Sequence, residues 1–386
     1  MRIAYFTDTY SPEINGVTNT LSKLGTWLDG MSMRQLVIAP DYDGENPASD
    51  SAYRKVQRFK GITVSLSPKS RLAFPAFWEI DPICDSFKPD IIHVTTELGI
   101  GFRGMRYALT RNIPLVMSFH TDYCKYLQYH NLEFARPLLE NYLAWFYGFS
   151  NRTLVPSQAT LTELFRKGYR NLGLWSRGID TVCFNPEYRN EALRKITAEN
   201  RFIFLYVGRL SAEKNLDMLL YAASEVERRF PGRSAFVFTG DGPYTDVIQN
   251  SPLSNVIFTG FKRGAELSQI YASADCFAFP SGTETFGNVA LEAAASGLPV
   301  AGVASGGITD FLSHNYNSLL CAPDDAEGFT ENLISIMKDE NLRLRLADNA
   351  QKTALSRDWK NIFDGLFNLY AETIEEYKQY DMGLTA

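Results

Sequence analysis

Gly282-Thr-Glu-Thr-Phe-Gly-Asn-Val-Ala-Leu-Glu292 is the stretch on which the fold turns. It follows Asp275-Cys-Phe-Ala-Phe-Pro280, an apolar run with the length and aromatic content of a buried strand. Val289, Ala290, Leu291 and the alanines at 293, 294 and 295 are good helix formers, and Gly297 and Pro299 close them off. The order this predicts is strand, glycine-bearing loop, helix, with Glu284 in the loop and Glu292 inside the helix. At ~1.5 Å of rise per residue the two carboxylates stand roughly 9–12 Å apart along the axis. Between them lie the free amides of the first helical turn, near Gly287, Asn288 and Val289. Those amides and the helix dipole suit a phosphate, and the carboxylates can accept hydrogen bonds from hydroxyls on either side of it. Hydroxyl, phosphate, hydroxyl is the outline of a nucleotide-sugar. By itself the stretch reads more readily as ordinary packing, since Glu near a helix start favours the dipole and Glu in a helix interior is usually solvated. The surrounding chain has to decide.

A strand–helix rhythm surrounds the stretch. Residues 201–207 read as a strand breaking into Gly208-Arg-Leu-Ser-Ala-Glu-Lys-Asn215, with a helix to about 230. Further strand runs end in Gly240-Asp-Gly-Pro243, in Gly260-Phe-Lys262 and in Ser305-Gly-Gly307. Polar residues 187–200 read as a linker. The first half has a series of its own: strand runs at 2–7, 36–39, 89–94, 113–119 and 152–157, separated by helical or turn-rich segments. This alternation predicts an α/β fold of doubly wound parallel sheets. Its restart after residue 200 predicts two Rossmann-like domains facing across a cleft, residues 1–186 and 187–358. The tail, 359–386, reads as a long amphipathic helix packing back on the first domain.

At 386 residues, 45% hydrophobic and 21% charged, the chain has material for two cores. The net charge of −6 is uneven: residues 1–185 hold 20 Lys/Arg against 17 Asp/Glu, and the remainder 18 against 27. A duplex nucleic-acid binder shows a stronger basic bias, so no nucleic-acid partner is expected. The mildly basic first half suits an anionic membrane surface or an acidic acceptor. Residues 53–78 interleave Arg54, Lys55, Arg58, Lys60, Lys69 and Arg71 with Phe59, Phe74, Phe77 and Trp78, a pattern that serves an acceptor or membrane surface but more often an ordinary solvated one. The five cysteines are odd in number and none are paired as CxxC, so neither a disulfide framework nor a zinc site is expected. The chain runs from Met1 directly into a strand, and it has no run of 18 apolar residues. The expectation is a cytoplasmic protein, peripheral at most on the inner face of the cell membrane.

Four further features bear on the site. Gly16 precedes the first helix, where a missing side chain lets backbone approach a phosphate, though a plain turn glycine reads as well. No GxGxxG accompanies it. His120 and Asp122 follow a buried strand, at the carboxyl edge where open α/β sheets place ligand groups. Arg209 and Lys214, five residues apart, share a loop at the same kind of edge as Glu284. Isolated loop cations are usually solvated. Beside a helix N-terminus flanked by two carboxylates, they are better explained as a diphosphate clamp that stabilises the charge growing there as a glycosyl bond breaks.

Taken together, these residues resemble the GT4-type retaining glycosyltransferases of the GT-B fold, over essentially the whole chain. Glu284 and Glu292, with seven residues between them, resemble the family's E-x7-E motif. Gly208-Arg-Leu with Lys214 resembles its phosphate-binding Arg and Lys. Pro12-Glu-Ile-Asn-Gly-Val17 resembles its glycine loop, with Asn15 where many members carry Gly. Pro89-Asp-Ile-Ile-His93, Phe119-His-Thr-Asp122 and Arg177-Gly-Ile-Asp180 are similar to further family segments. The resemblance is nearest to the branch of GDP-mannose-dependent mannosyltransferases and sulfoquinovosyl-diacylglycerol synthases, which act on lipid or lipid-linked acceptors.

The resemblance implies transfer of a hexose, with retention, from a GDP- or UDP-sugar to an acceptor hydroxyl. Glu292 would hold the ribose and Glu284 the donor sugar. Amides around Phe286, Gly287, Asn288 and Val289 would bind the diphosphate beside Arg209 and Lys214, and Gly16 would close on it. His120 would sit at the sugar with Asp122 nearby, and the base near Phe261 and Lys262. No metal is implied, because Arg and Lys replace the cation, and no cofactor, because the nucleotide-sugar is a substrate. The acceptor is expected to be a lipid or glycan. The alternatives are a soluble small-molecule or polysaccharide acceptor, and a non-catalytic nucleotide-sugar-binding protein on the same fold.

Overall fold

A computed structural model describes residues 1–384 apart from 45, 48, 49, 65, 66, 128–131 and 200. The chain divides into two units, Met1–Ser176 with Lys360–Ala386, and Arg177–Trp359. The sequence reading set the joint at 186/187 instead. Residues 177–186 belong to the second unit because Ile179 bridges in parallel to Asp358 and its amide donates to the Arg357 carbonyl at 2.9 Å. Gly178 lies so close to Trp359 that a Cβ would stand 2.7 Å from the indole. That pairing joins residues far apart in sequence, so no local pattern announces it.

The first unit is built on eight strands: β1 Arg2–Phe6, β2 Arg34–Asp41, β3 Arg54–Val64, β4 Ser67–Ala73, β5 Ile91–Val94, β6 Leu115–Ser118, β7 Arg152–Val155 and β8 Leu172–Leu174. Their order is β4-β3-β2-β1-β5-β6-β7-β8. All pairings are parallel except β3 with β4. The short central strands are buried along their length, as near-continuous apolar runs such as Ile3-Ala-Tyr-Phe6 require in a sheet covered on both faces. Residues 53–78, read from sequence as a basic surface, supply β3 and β4. Their cations largely serve the fold: Arg54 pairs with Asp29 at 3.1 Å, and Arg71 with Asp43 at 3.1 Å. Arg58 donates to the carbonyls of Pro40 and Ser11 at 3.0 and 2.7 Å. Charged side chains suit an edge pair, where they discourage pairing with other chains.

The C-terminal helix, Trp359–Leu384, lies on this first unit from Lys360 onward. Phe363, Leu366 and Tyr370 fall at helical spacing and are 2%, 1% and 1% exposed. Phe363 packs on Trp27 with ring centroids 5.7 Å apart, and the Tyr370 hydroxyl shares a 2.5 Å hydrogen bond with His93 Nδ1 in β5. Each such buried side chain stabilises docking by roughly 1.5–3 kcal/mol.

The second unit holds β9 Phe202–Val207, β10 Ser234–Thr239, β11 Val256–Gly260, β12 Cys276–Phe279, β13 Val300–Val303 and β14 Ser318–Cys321, in the order β11-β10-β9-β12-β13-β14. Every pairing is parallel, so every strand ends at the same edge. Two apolar clusters cover its faces. From β9 the chain winds one way to β10 and β11, then the other way through β12 to β14. The direction reverses between β9 and β12, and such a switch point leaves an open crevice where ligands bind.

Candidate active site

The crevice is formed by the two loops that leave β9 and β12. After β9, Ala212–Lys214 makes a single tight turn, and Asn215, left-handed at φ 54°, redirects the chain into the helix Leu216–Arg229. Asn tolerates that conformation better than most residues. After β12, the loop 280–287 is pinned from several sides. Ser305 Oγ donates to the Gly282 carbonyl at 2.9 Å, and the Gly307 amide donates to the Glu284 carbonyl at 2.8 Å. A Cβ on Gly307 would stand 2.1 Å from the Thr285 carbonyl, so only glycine allows this approach. Gly287, at φ 93°, then turns into the helix Asn288–Ala295, where a Cβ would meet Ile308 at 2.5 Å.

Because β9 and β12 are neighbours, the two loops touch. Lys214 Nζ donates to Glu284 Oε1 at 2.5 Å, with the side chains 13% and 21% exposed. A cation and a carboxylate expected on separate parts of one ligand are thus paired with each other. Thr283 Oγ1 donates to the Glu213 carbonyl at 3.2 Å, a second tie between the loops. Arg209 is exposed, in no ion pair among the described residues, and its carbonyl accepts from the buried Tyr206 hydroxyl at 2.9 Å. The helix Asn288–Ala295 has no side-chain cap. Its first-turn amides, at Asn288 and Val289 beside Phe286 and Gly287, are therefore not taken up by a capping side chain. Glu292 lies one turn on, where the buried Tyr271 hydroxyl donates to its Oε2 at 3.0 Å. Burial holds the Tyr271 hydroxyl well above its ordinary pKa, so it stays a donor. Phe261, past β11, is 55% exposed, and Lys262 reaches Glu266 at 3.5 Å.

In the first unit the predicted residues also follow strand ends. His120 lies past β6, edge-on to Trp175 with ring centroids 5.7 Å apart. Asp122 is buried: its Oδ1 accepts from the Cys124 amide at 3.2 Å, and Lys125 lies 3.4 Å from Oδ2. Gly16 opens the helix Gly16–Gly30. Here Asn15 caps the helix, accepting from the Val17 and Thr18 amides at 2.9 Å each. The two glycine-led helix starts therefore differ: the Asn15 side chain takes two first-turn amides of the first, and the second has no such cap.

Sequence reasoning missed Glu213, Tyr271, Asp8 and Glu97. Glu213 is 6% exposed and accepts from Ser211 Oγ at 2.5 Å, bracing the turn that carries Lys214. Asp8 and Glu97 follow β1 and β5, the neighbouring strands at which the first sheet reverses its winding. Asp8 accepts from the Ile100 amide and Thr96 Oγ1, each at 2.7 Å, and burial pushes it up to about 6. Glu97 is 4% exposed, accepts from the Tyr147 hydroxyl at 2.5 Å, and is pushed by burial to about 7. The rule that singled out His120, a polar group just past a buried strand, would have found both.

Comparison with known proteins follows the same outline. Residues 14–182 match the model of Glycosyltransferase Family 4, and residues 189–353 that of Glycosyl transferases group 1. The chain is 30% identical over 376 residues, 96% of each protein, to a GDP-mannose-dependent alpha-mannosyltransferase of Mycobacterium tuberculosis. It belongs to the family 4 glycosyltransferases.

Other relatives of this glycosyltransferase include the sulfoquinovosyl transferase SQD2 of Arabidopsis thaliana, 33% identical over 71% of this chain and 55% of that protein. An alpha-monoglucosyldiacylglycerol synthase of Streptococcus pneumoniae is 29% identical over 78% of this chain and 70% of its own length. The solved structure of a sucrose-phosphate synthase of Thermosynechococcus elongatus superposes with a TM-score of 0.77 at 17% identity, over 97% of this chain and 99% of that one. The fold is GT-B, with two Rossmann-like units. The enzyme moves a glycosyl group from a nucleotide-sugar, which removes the non-catalytic alternative.

Proposed function

We propose that this glycosyltransferase moves a hexose from a GDP- or UDP-sugar, with retention and without a metal ion, to a hydroxyl of a lipid or lipid-linked glycan. The observation that carries the donor half is the crevice between the loops after β9 and β12. Arg209 and Lys214 follow β9, Glu284 follows β12 in hydrogen-bond contact with Lys214, and the helix that begins at Asn288 has no side-chain cap. In this reading the diphosphate takes Lys214 from Glu284, which is then released to accept from the sugar hydroxyls. Glu292, already polarised by Tyr271, accepts from the ribose. Arg209 and Lys214 stabilise the charge that grows on the leaving diphosphate as the glycosyl bond breaks. The departing phosphate oxygen takes the proton of the incoming hydroxyl on the same face. His120, Asp122 and Gly16 keep the roles that the family resemblance gives them.

The acceptor half rests on the relative named for a diacylglycerol product, and the choice of a GDP-sugar on the relatives named for GDP-mannose. Peripheral membrane contact from the cytoplasmic side belongs to the same reading. The test is transfer of labelled sugar from GDP-mannose and UDP-glucose into a lipid extract containing diacylglycerol, in the presence of EDTA. Label partitioning into the organic phase is expected with one of the two donors. Label found only on water-soluble products would refute the lipid acceptor and leave the donor site standing.

A further inference from the structure

The first unit carries an apolar band that the donor chemistry does not use. Phe134, Leu138, Trp145 and Phe149 follow one another at steps of four, seven and four along the helix Arg136–Tyr147 and its flanking turns, which aligns them on one stripe. They are 81%, 76%, 48% and 38% exposed, while Leu143, Phe146 and Tyr147 of the same helix are in the core. A helix apolar on both faces has a second surface to cover.

The band continues across neighbouring helices. Trp145 stacks with Phe102 of the helix Gly99–Arg111, ring centroids 6.4 Å apart. On that helix Arg103 and Arg106 both lie over the ring of Phe77, at 4.2 and 3.6 Å. Phe77 opens the helix Phe77–Phe87, whose next residue, Trp78, is 79% exposed. Single exposed apolar residues are ordinary, but a connected band over three helices marks an interaction surface. Charge within it is nearly balanced: Arg106 pairs with Asp81 at 3.3 Å and Arg136 with Glu140 at 3.1 Å. The exception is Arg103, which is in no ion pair among the described residues and whose buried Nε has no hydrogen-bond partner among them.

We propose that this band docks the enzyme on the headgroup region of a phospholipid bilayer, with Phe134, Leu138 and Trp145 inserted and Arg103 paired with a lipid phosphate. The proposal deepens the lipid-acceptor reading and rests on it. Aromatic rings interleaved with arginine suit the membrane interface, where one end of each side chain meets hydrocarbon and the other meets water and phosphate. Among the described residues no helix is long and apolar enough to cross a membrane, so access to a lipid acceptor needs a surface of this kind. The near balance of charge makes insertion, rather than attraction to anionic lipid, the main contribution, so binding should weaken only modestly with salt.

The test uses the full chain with phosphatidylcholine vesicles, alone or mixed with phosphatidylglycerol, read by co-sedimentation and by quenching of tryptophan emission with brominated lipid. The wild type is expected to bind both vesicles. The double variant Phe134→Ser/Leu138→Ser should bind roughly tenfold or more weakly, with donor hydrolysis unchanged because neither residue belongs to the donor site. Trp145→Phe should keep binding but lose part of the quenching, and Arg103→Gln should lose the preference for the anionic mixture. Equal binding by the double variant and the wild type would overturn the proposal. So would a wild type that ignores both vesicles while glycosylating detergent-dispersed lipid, a result that leaves the acceptor reading intact. A double variant that changes from dimer to monomer in sedimentation would show that a second copy covers the band, and would also overturn it. Vesicle binding without any lipid product would instead leave the surface standing and remove the lipid acceptor.

Discussion

Lys214 and Glu284 neutralise each other, and in the proposed donor reading a nucleotide-sugar exchanges their hydrogen bond for phosphate and hydroxyl contacts. Glu284→Gln removes the charge that holds Lys214. We expect nucleoside diphosphate to bind that variant at least as tightly as the wild type in calorimetric titration, while transfer falls by about 10²–10³, because the hydroxyl contact loses its charge. Diphosphate affinity that falls in step with turnover would mean that the pair holds the site's shape instead. Arg209, exposed and in no ion pair among the described residues, should act mainly in the transition state. Arg209→Ala is expected to cost roughly 2–4 kcal/mol in kcat with little change in KM. Raised KM at constant kcat would contradict this. Glu97 gives a pH prediction. Its folded pKa, about 7 through burial, lies above the ordinary carboxylate value. Its protonated form therefore supports the fold at low pH, and that contribution is lost as pH rises from about 4.5 through 7. Glu97→Gln should be more stable than the wild type at pH 8, by up to about 3 kcal/mol, and the difference should vanish near pH 4. Thermal melts across that range check the sign, and a difference independent of pH would count against it.

Among the elements, the strand, loop and helix of residues 276–295 could be read from sequence because each part declares itself locally. Cys276–Phe279 is an unbroken apolar run, Gly287 is needed at positive φ, and Asn288–Ala295 is made of good helix formers. That Arg209, Lys214 and Glu284 follow strand ends could be read the same way. Contact between Lys214 and Glu284 could not, since it requires β9 and β12 to be neighbours, a matter of strand order in the whole sheet. β3 and β4 escaped because their cations alternate with apolar residues and look like solvated surface until Asp29, Asp43 and the carbonyls of Pro40 and Ser11 are seen to bind them. Asp8 and Glu97 were legible by position, each just past a buried strand, but the Thr96, Ile100 and Tyr147 groups packed against them come from other segments and were not. The C-terminal helix was legible from its spacing, and the structure adds its anchor. Leu366, in the part of the helix that belongs to the first unit, is 1% exposed. Leu366→Ala should cost about 2–5 kcal/mol and lower the melting temperature of the full chain. An unchanged melt would mean that the helix contributes little to that unit's stability.

For the whole molecule, the parallel sheets explain why the polar groups of the candidate site gather where they do. A doubly wound sheet has one reversal of winding, and its strand ends leave backbone and side chains there without neighbours to cover them. In the second unit that place holds Arg209, Lys214 and Glu284, and in the first it holds Asp8 and Glu97. One GT-B scaffold serves many donors and acceptors because these loops vary while the sheets behind them stay fixed. The central claim is that protein cations in the second unit, rather than a metal ion, carry the charge of a departing nucleoside diphosphate. The measurement that tests it most directly is the turnover of a matched nucleotide-sugar in excess EDTA, wild type beside Arg209→Ala and Lys214→Ala, with the anomeric configuration of the product read by NMR. Full wild-type activity, a retained anomer and a large loss of turnover in each variant are expected. Activity that vanishes with EDTA and returns with Mg²⁺ or Mn²⁺, or variants that turn over like the wild type, would contradict the claim.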